Sequence, residues 1–172
     1  QNIVSSEIDT FAPAVVTVCK FNAGTAFNII PDDVIFEGTV RTLDENVRLD
    51  IKNRMERIIK GVSASFNCTY EFSYNFEVSC LVNTPEIVEN LLKAADDSLG
   101  EGHIRSLTGP TMGAEDFSNY VNYVGKGALL RLGITNPGEE ELVLHNDRFD
   151  FNDEAIPIGI AAFVQYVLNT NK

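Results

Sequence analysis

The strongest constraint on the fold is the stretch 70–80, in which apolar and polar side chains alternate without exception. Its apolar set is Tyr70, Phe72, Tyr74, Phe76, Val78 and Cys80. Successive side chains of a β-strand point to opposite faces of the sheet, so this period of two predicts a long strand. The polar second face indicates an antiparallel sheet with one side in water. The chain is therefore expected to build a sheet around this stretch.

Two further strands and a helix are predicted in the first half of the chain. Residues 14–21 and 34–43 are rich in β-branched and aromatic side chains, and each is expected to bury one face. Apolar side chains recur at helical spacing over 45–60, and Gly61 follows where a left-handed C-terminal cap is expected. Together these elements predict a small antiparallel sheet with helices on one face.

The second half begins with a helix start signal, because Thr84 can cap a helix and Pro85 suits its first position. After residue 100, glycines and prolines separate what are predicted as short strands, and α/β enzymes place sites in such loops. The polar run 152–154 precedes an apolar helical pattern that closes the chain. We therefore predict an α/β protein with domains at 1–80 and 81–172.

The charge balance excludes two classes of partner. The chain has 13 Lys and Arg against 25 Asp and Glu, a net charge of −12. Nucleic acids and anionic membrane surfaces are both bound by clustered cations, which this sequence lacks. No apolar run approaches the ~20 residues of a membrane span, and no signal-peptide pattern opens the chain. The chain has three cysteines and no CxxC pair, which predicts that Cys19, Cys68 and Cys80 are buried or half-buried free thiols. Free thiols are typical of a reducing compartment, so we predict a soluble, cytoplasmic protein.

The candidate chemistry lies in the second half, where acids surround one of the two histidines of the chain. No phosphate loop and no serine nucleophile elbow occurs. His145 follows the apolar run 142–144 and precedes a loop and a helix, which is a common position for a metal ligand. A surface or capping histidine would show the same pattern. Glu115 and Asp116 are similarly open to a second interpretation, as acids in the first turn of a helix.

Five ordered stretches carry a resemblance to a known family. They are 22–31 (NAGTAFNIIP), 36–42 (FEGTVRT), 112–118 (MGAEDFS), 127–133 (GALLRLG) and 145–154 (HNDRFDFNDE). In this order they closely resemble the dinuclear metal amidohydrolases of the aminoacylase and carboxypeptidase G type, in particular the hippurate hydrolase and indole-acetyl-amino-acid hydrolase branch. The resemblance covers nearly all 172 residues. It concerns only the C-terminal portion of those enzymes, which remove an acyl group from an amino acid or short peptide.

The resemblance implies roles for five residues. Asn28 and Arg41 would lie in an inserted lid domain and grip the carboxylate of an N-acyl amino acid or peptide substrate. Gly113 and Glu115 would lie in the loop that borders the active site. His145 would bind a divalent metal, zinc or manganese, with two ions in each complete site. The lid, residues 1–80 without its first helix, would also make a homodimer through its sheet.

Other parts of the family's site have no counterpart in this sequence. The bridging aspartate, the remaining ligand motif, the lid histidine and the glutamate pair that provides the general base would all lie upstream. The isolated chain is therefore expected to be inactive. Alternatives stay open: a dimerising, non-catalytic α/β module, a decayed homologue, or one chain of a two-chain enzyme. Two residue roles are open as well, since Arg41 could be a surface arginine and Glu154 could either orient His145 or complement a helix dipole.

Overall fold

A computed structural model of the protein describes residues 2–136, 138 and 144–171. The chain is mixed α/β, with a two-stranded antiparallel sheet and four α-helices in the part described. The elements in chain order are a π-helical segment Ile3–Glu7, strands β1 (Ala14–Ala23) and β2 (Val34–Thr42), and helices α1 (Glu45–Ser65), α2 (Pro85–Leu99), α3 (Phe117–Val124) and α4 (Ala155–Thr170).

The chain divides into two compact units. Unit 1 comprises Gln1–Leu81 together with Pro110–Asn119, and unit 2 comprises Val82–Gly109 together with Tyr120–Lys172. The predicted boundary between residues 80 and 81 would put 110–119 in the second domain with its neighbours in the chain. The structure places this stretch in the first unit, which also contains Arg41.

Strands β1 and β2 pair as a hairpin with one irregularity. Ala14 pairs with Thr42 and Ala23 with Val34, and the register shifts between Val18 and Lys20. The shift is a β-bulge, in which an extra residue of one strand is left without a partner on the other. Gly38 lies opposite the bulge, and a Cβ atom there would overlap the carbonyl oxygen of Thr17.

The hairpin does not bury one face along its length, so that prediction is wrong. Side chains of β1 are exposed from residue 17 to 23, and those of β2 from 34 to 39. Val16 and Val40, near the end of the hairpin that leads into α1, are half-buried. A sheet face is buried only where another layer covers it, and of the described helices α1 is the one that packs on β2.

The stretch 70–80 does not form a strand of the described sheet, which corrects the first prediction. Its burial alternates only over 71–75, where Phe72 and Tyr74 are half-buried and their neighbours are exposed, because Phe76 is exposed and residues 78–80 are all half-buried. The Tyr74 and Phe76 ring centroids lie 4.9 Å apart, and burial raises the pKa of Tyr74. A strand exists only as part of a hydrogen-bonded ladder, and the described residues place no neighbouring strand beside this stretch.

Side chains of α1 hold the stretch 70–80 in place instead. Arg48 donates from Nη1 to the carbonyl of Val78 at 2.5 Å, and its guanidinium lies 4.8 Å from the centre of the Phe76 ring. Glu45 accepts from the Cys80 amide at 3.3 Å. Helix α1 is thus the element around which unit 1 is organised, and its Ile51 is fully buried.

Helix α1 ends later than predicted. Gly61 lies inside the helix, which continues to Ser65. The left-handed position is Asn67 instead, with a φ of 52°. The amide of Cys68 donates to the carbonyl of Ser63 at 2.9 Å and that of Asn67 to Ala64 at 3.3 Å, which is the bonding of a Schellman motif.

The start of α1 gives a direct stability prediction. The Asp44 carboxylate accepts from the amides of Asn46 at 2.7 Å and Val47 at 3.2 Å. Replacing Asp44 with alanine is expected to lower the free energy of unfolding by about 1 kcal/mol, because these amides then lose their acceptor. Urea unfolding followed by circular dichroism measures the loss. Glu56→Ala is the matched control, because Glu56 is exposed and its ion pair with Lys52 is 3.9 Å long. If Glu56→Ala changed the free energy of unfolding by more than about 0.5 kcal/mol, the loss in Asp44→Ala could no longer be attributed to the cap.

An ion-pair cluster joins the π-helical segment to α1. Arg54 and Arg57 both donate to Glu7, and Arg54 also donates to Asp50 at 2.7 Å. The hydrogen bond from Arg54 holds the pKa of Glu7 below its usual value, and the bond to Asp50 raises the pKa of Arg54. Because folding lowers the pKa of Glu7, the ionised Glu7 carboxylate contributes to stability at pH values above the ordinary carboxyl pKa. That contribution is lost as the pH falls through the pKa of Glu7 in the folded protein.

Unit 2 is built on two packed helices, α2 and α4. Ala94 and Ala162 are buried, and small side chains let helices approach closely. Thr84 precedes α2 as predicted, but its hydroxyl accepts from the Gly127 amide at 3.0 Å rather than capping the helix. The short strands predicted after residue 100 are absent from the described part of the chain.

Much of the apolar surface remains exposed to solvent. Phe11, Phe27 and Ile30 are examples, with more than nine-tenths of each residue exposed. The three cysteines are free, as predicted, but Cys19 and Cys68 are exposed rather than buried and Cys80 is half-buried. Among the described helices, none combines the length and the apolar character needed to cross a bilayer.

Candidate functional site

Arg41 lies at the end of β2, opposite Val15 of β1, and its side chain is exposed. Its Nη1 donates to the carbonyl oxygen of Met112 at 2.7 Å. Met112 belongs to the stretch Pro110–Asn119 that is part of unit 1. This hydrogen bond places Arg41 beside the residue that precedes Gly113, in the stretch that also contains Glu115.

Glu115 caps the start of α3. Its carboxylate accepts from the amide of Phe117 at 3.1 Å, and its backbone carbonyl accepts from the amide of Ser118 at 3.3 Å. Glu115 precedes α3, whose first turn contains no acid, so its contact is that of a capping residue and not of the alternative first-turn acid. Gly113 has open space around it, since the nearest atom to a Cβ placed there would be the Thr111 hydroxyl at 3.9 Å. Roles of Glu115 and Gly113 toward a substrate stay predictions.

Asn28 lies in the loop between β1 and β2, and its side chain is exposed. Arg41 lies seven residues beyond Val34, the first residue of β2, which is about 23 Å at the rise of a strand. Asn28 and Arg41 therefore belong to opposite ends of the hairpin. The hairpin gives no support to the prediction that both side chains grip one carboxylate within one chain.

His145 lies in unit 2, is exposed, and has a φ of 66°. A non-glycine residue in this left-handed region is uncommon and marks a position worth testing for function. Two residues of the apolar run that precedes it, Leu142 and Val143, lie outside the described residues. No hydrogen bond or ion pair joins His145 to Glu154 in the described part of the chain, where Glu154 is the residue that precedes α4.

The donors that the structure describes do not make a complete metal site. No group of three His, Cys, Asp or Glu side chains in residues 2–136, 138 and 144–171 is close enough to hold an ion. A zinc site needs three or four ligands, so the single imidazole of His145 cannot bind a catalytic metal alone. The described residues by themselves do not complete the dinuclear centre that the resemblance implies.

The backbone carbonyl of Met112 is a group of this candidate site that the sequence patterns do not reveal. It accepts the Arg41 hydrogen bond, yet a main-chain acceptor has the same chemistry at every position and leaves no signal in the residue type. The nearest hint was its place directly before Gly113, in a stretch that carried the resemblance.

The comparisons with known proteins decide the family. The profile of peptidase family M20/M25/M40 matches residues 5–169, which is nearly the whole chain. The chain belongs to peptidase family M20. The resemblance on which the sequence analysis relied is thereby confirmed.

Relatives of this M20 chain carry related names. It is 30% identical over 168 residues to the hippurate hydrolase of Campylobacter jejuni, covering 98% of this chain and 43% of that protein. It is 32% identical over 162 residues to thermostable carboxypeptidase 2 of Saccharolobus solfataricus, covering 93% and 40%. An N-acyl-L-amino acid amidohydrolase of Geobacillus stearothermophilus is 41% identical over 86 residues, covering 50% of this chain and 23% of that one.

A solved structure has the same fold. The crystal structure of an aminohydrolase candidate from methicillin resistant Staphylococcus aureus superposes with a TM-score of 0.77 at 26% identity. It covers 99% of this chain and 43% of that chain. The M20 chain described here thus spans about two fifths of the length of the relatives it matches.

Proposed function

We propose that the complete protein hydrolyses the amide bond of N-acyl amino acids or short peptides. Family membership supports a hydrolase, and the relatives are named as hippurate hydrolase, amidohydrolase and carboxypeptidase. A hippurate, an N-acyl amino acid and a peptide with a free C-terminus share one feature, an amide bond next to a carboxylate. The proposed substrate class is defined by that pair of groups.

The observation that carries this proposal is the position of Arg41. Its guanidinium is exposed beside the Met112–Glu115 stretch, and an arginine presents a planar fork that pairs with both oxygens of a carboxylate. The net charge of −12 does not oppose this, because a nearby guanidinium dominates over charges beyond the Debye length of ~8 Å. Arg41 would bind the substrate carboxylate and so place the amide bond relative to the rest of the site.

His145 would contribute one metal ligand in the complete protein. Peptidases of this family are generally metal-dependent, and a neutral imidazole suits zinc or manganese. We propose two ions per complete site, with the other ligands and the general base supplied by polypeptide beyond these residues. The 172-residue chain would then be inactive by itself. We also propose a homodimer formed through the sheet of unit 1, and a cytoplasmic location in which the three thiols stay reduced.

The test is an assay of amino acid release from N-acetyl and N-benzoyl amino acids. The complete polypeptide, supplied with Zn²⁺ or Mn²⁺, is expected to release the free amino acid, and treatment with a chelator is expected to stop it. The 172-residue chain under the same conditions serves as the second sample and is expected to release none. Release by the short chain would contradict its proposed inactivity. Absence of release by the complete, metal-loaded protein would favour the non-catalytic module.

A further inference from the structure

We propose that Arg41 is a positioning residue as well as a carboxylate ligand, and that it couples substrate binding to the placement of the stretch Pro110–Asn119. One nitrogen of the guanidinium fixes this stretch on unit 1, and the remaining N–H groups bind the carboxylate. The second half of this inference rests on the proposed function. The first half rests on the geometry of Arg41 and Met112 alone.

The stretch Pro110–Asn119 needs a specific attachment. Residues on both sides of it, Val82–Gly109 and Tyr120–Lys172, belong to unit 2, yet the stretch itself belongs to unit 1. The bond from Arg41 Nη1 to the Met112 carbonyl, 2.7 Å long, connects it to the sheet of unit 1 across 71 positions of sequence. A hydrogen bond from a charged donor is stronger than one between neutral groups, so it can hold a short loop in place.

The same guanidinium keeps donors for a ligand. An arginine has five N–H groups, and the bond to Met112 occupies one of them on Nη1. The edge formed by Nε and Nη2 has no partner among the described residues and is wide enough for both oxygens of a carboxylate. A carboxylate can therefore bind Arg41 without displacing Met112.

Sharing one side chain makes the two contacts cooperative. Ordering a long arginine side chain costs conformational entropy, and that cost is met once for both partners. A carboxylate bound to Nε and Nη2 therefore tightens the loop, and a docked loop favours the carboxylate to the same extent. Because Gly113 and Glu115 lie within the stretch, the proposed binding of the carboxylate also fixes the residues predicted to border the active site.

Hydrogen exchange tests the loop attachment without any ligand. The reporters are the amides of Phe117, Ser118 and Asn119, whose acceptors all lie within the stretch. In the 172-residue chain, Arg41→Ala is expected to speed their exchange by about tenfold or more, the effect of losing one charged hydrogen bond. Arg41→Lys keeps the positive charge but not the planar guanidinium, and its exchange rates are expected to lie between those of the unmodified chain and Arg41→Ala. Lys20→Ala removes a cation of the same hairpin that pairs with Glu37, and is expected to leave these amides unchanged.

A second arm tests the coupling in the complete polypeptide. The probe is a substrate analogue with a methylene linkage in place of the amide and a free carboxylate, compared with its carboxamide. The carboxylate probe is expected to slow exchange of the stretch by severalfold in the unmodified protein but not in Arg41→Ala. The carboxamide is expected to leave exchange unchanged in both proteins.

The outcomes separate this inference from the proposed function. Unchanged exchange in Arg41→Ala, with the hairpin amides still protected as evidence of folding, overturns the inference while leaving the hydrolase proposal intact. Faster exchange in Arg41→Ala without any response to the carboxylate probe overturns the coupling. Hydrolysis by the complete protein is measured in a separate assay. A lack of hydrolysis would therefore be distinguishable from both exchange results.

Discussion

Replacing His145 in the complete protein is expected to lower the bound metal from about two ions per site to about one and to slow hydrolysis by about 100-fold or more. A site that relies on about three protein ligands per ion loses affinity when one ligand is removed. Metal content, measured by atomic emission on dialysed protein, gives a readout that does not depend on activity.

Two variants and a control make this test specific. His145 has a φ of 66°, a conformation that asparagine tolerates better than alanine, so His145→Asn removes the imidazole with less backbone strain than His145→Ala. His103→Ala is the matched control, because His103 is the other histidine of the chain and is also exposed. Equal metal content in the His145 and His103 variants would contradict the assignment.

Replacing Gly38 with alanine is expected to destabilise the hairpin by about 2 to 3 kcal/mol, the usual cost of forcing atoms into occupied space. The new Cβ would overlap the Thr17 carbonyl oxygen, with Thr17 C at 3.1 Å and Val18 Cα at 3.2 Å. All three are backbone atoms, so the strand itself has to move. Hydrogen exchange of the hairpin amides and urea unfolding both measure the loss.

Gly61→Ala is the matched control for Gly38. Gly61 lies inside α1 with nothing within 4 Å of a Cβ, and its φ is not positive. Alanine there is expected to stabilise the protein by about 0.5 to 1 kcal/mol, because glycine is costly in a helix interior. The two substitutions therefore have opposite expected signs. A Gly38→Ala protein as stable as the unmodified one would show that the bulge accommodates a side chain.

Local patterns predicted the helices better than their ends or the sheet. The apolar spacing of α1, the start of α2 at Pro85 and the final helix are all encoded by residues close in sequence, and the structure confirms them, although the Thr84 hydroxyl does not cap α2. Gly61 was misjudged because one glycine costs only about 1 kcal/mol, which a long helix tolerates when a better C-terminal motif follows at Asn67. Helix ends depend on the competition between neighbouring caps, which a single residue does not reveal.

Predictions were less accurate for elements whose structure depends on residues far away in sequence. The alternation over 70–80 matches the observed burial only over 71–75, and a strand also needs a neighbour, which its own sequence cannot specify. The buried faces of β1 and β2 failed for the same reason, since burial depends on a covering layer. At the candidate site, the role of Arg41 stays a prediction from a motif, whereas its contact with the Met112 carbonyl and the place of 110–119 in unit 1 arise only from the fold.

The most direct test of the proposed hydrolase is the preference of the complete protein for a substrate with a carboxylate. The measurement is kcat/KM for an N-acyl amino acid and for its carboxamide, in the unmodified protein and in Arg41→Ala, with Lys20→Ala as control. The account predicts a preference of about 100-fold or more in the unmodified protein and in the control, as expected for a charged pair, and its near loss in Arg41→Ala. A general loss of active protein affects both substrates alike and cancels from the ratio, which therefore reports the carboxylate contact together with the loop placement coupled to it. A preference that survives in Arg41→Ala, or no hydrolysis of either substrate by the unmodified protein, would contradict it.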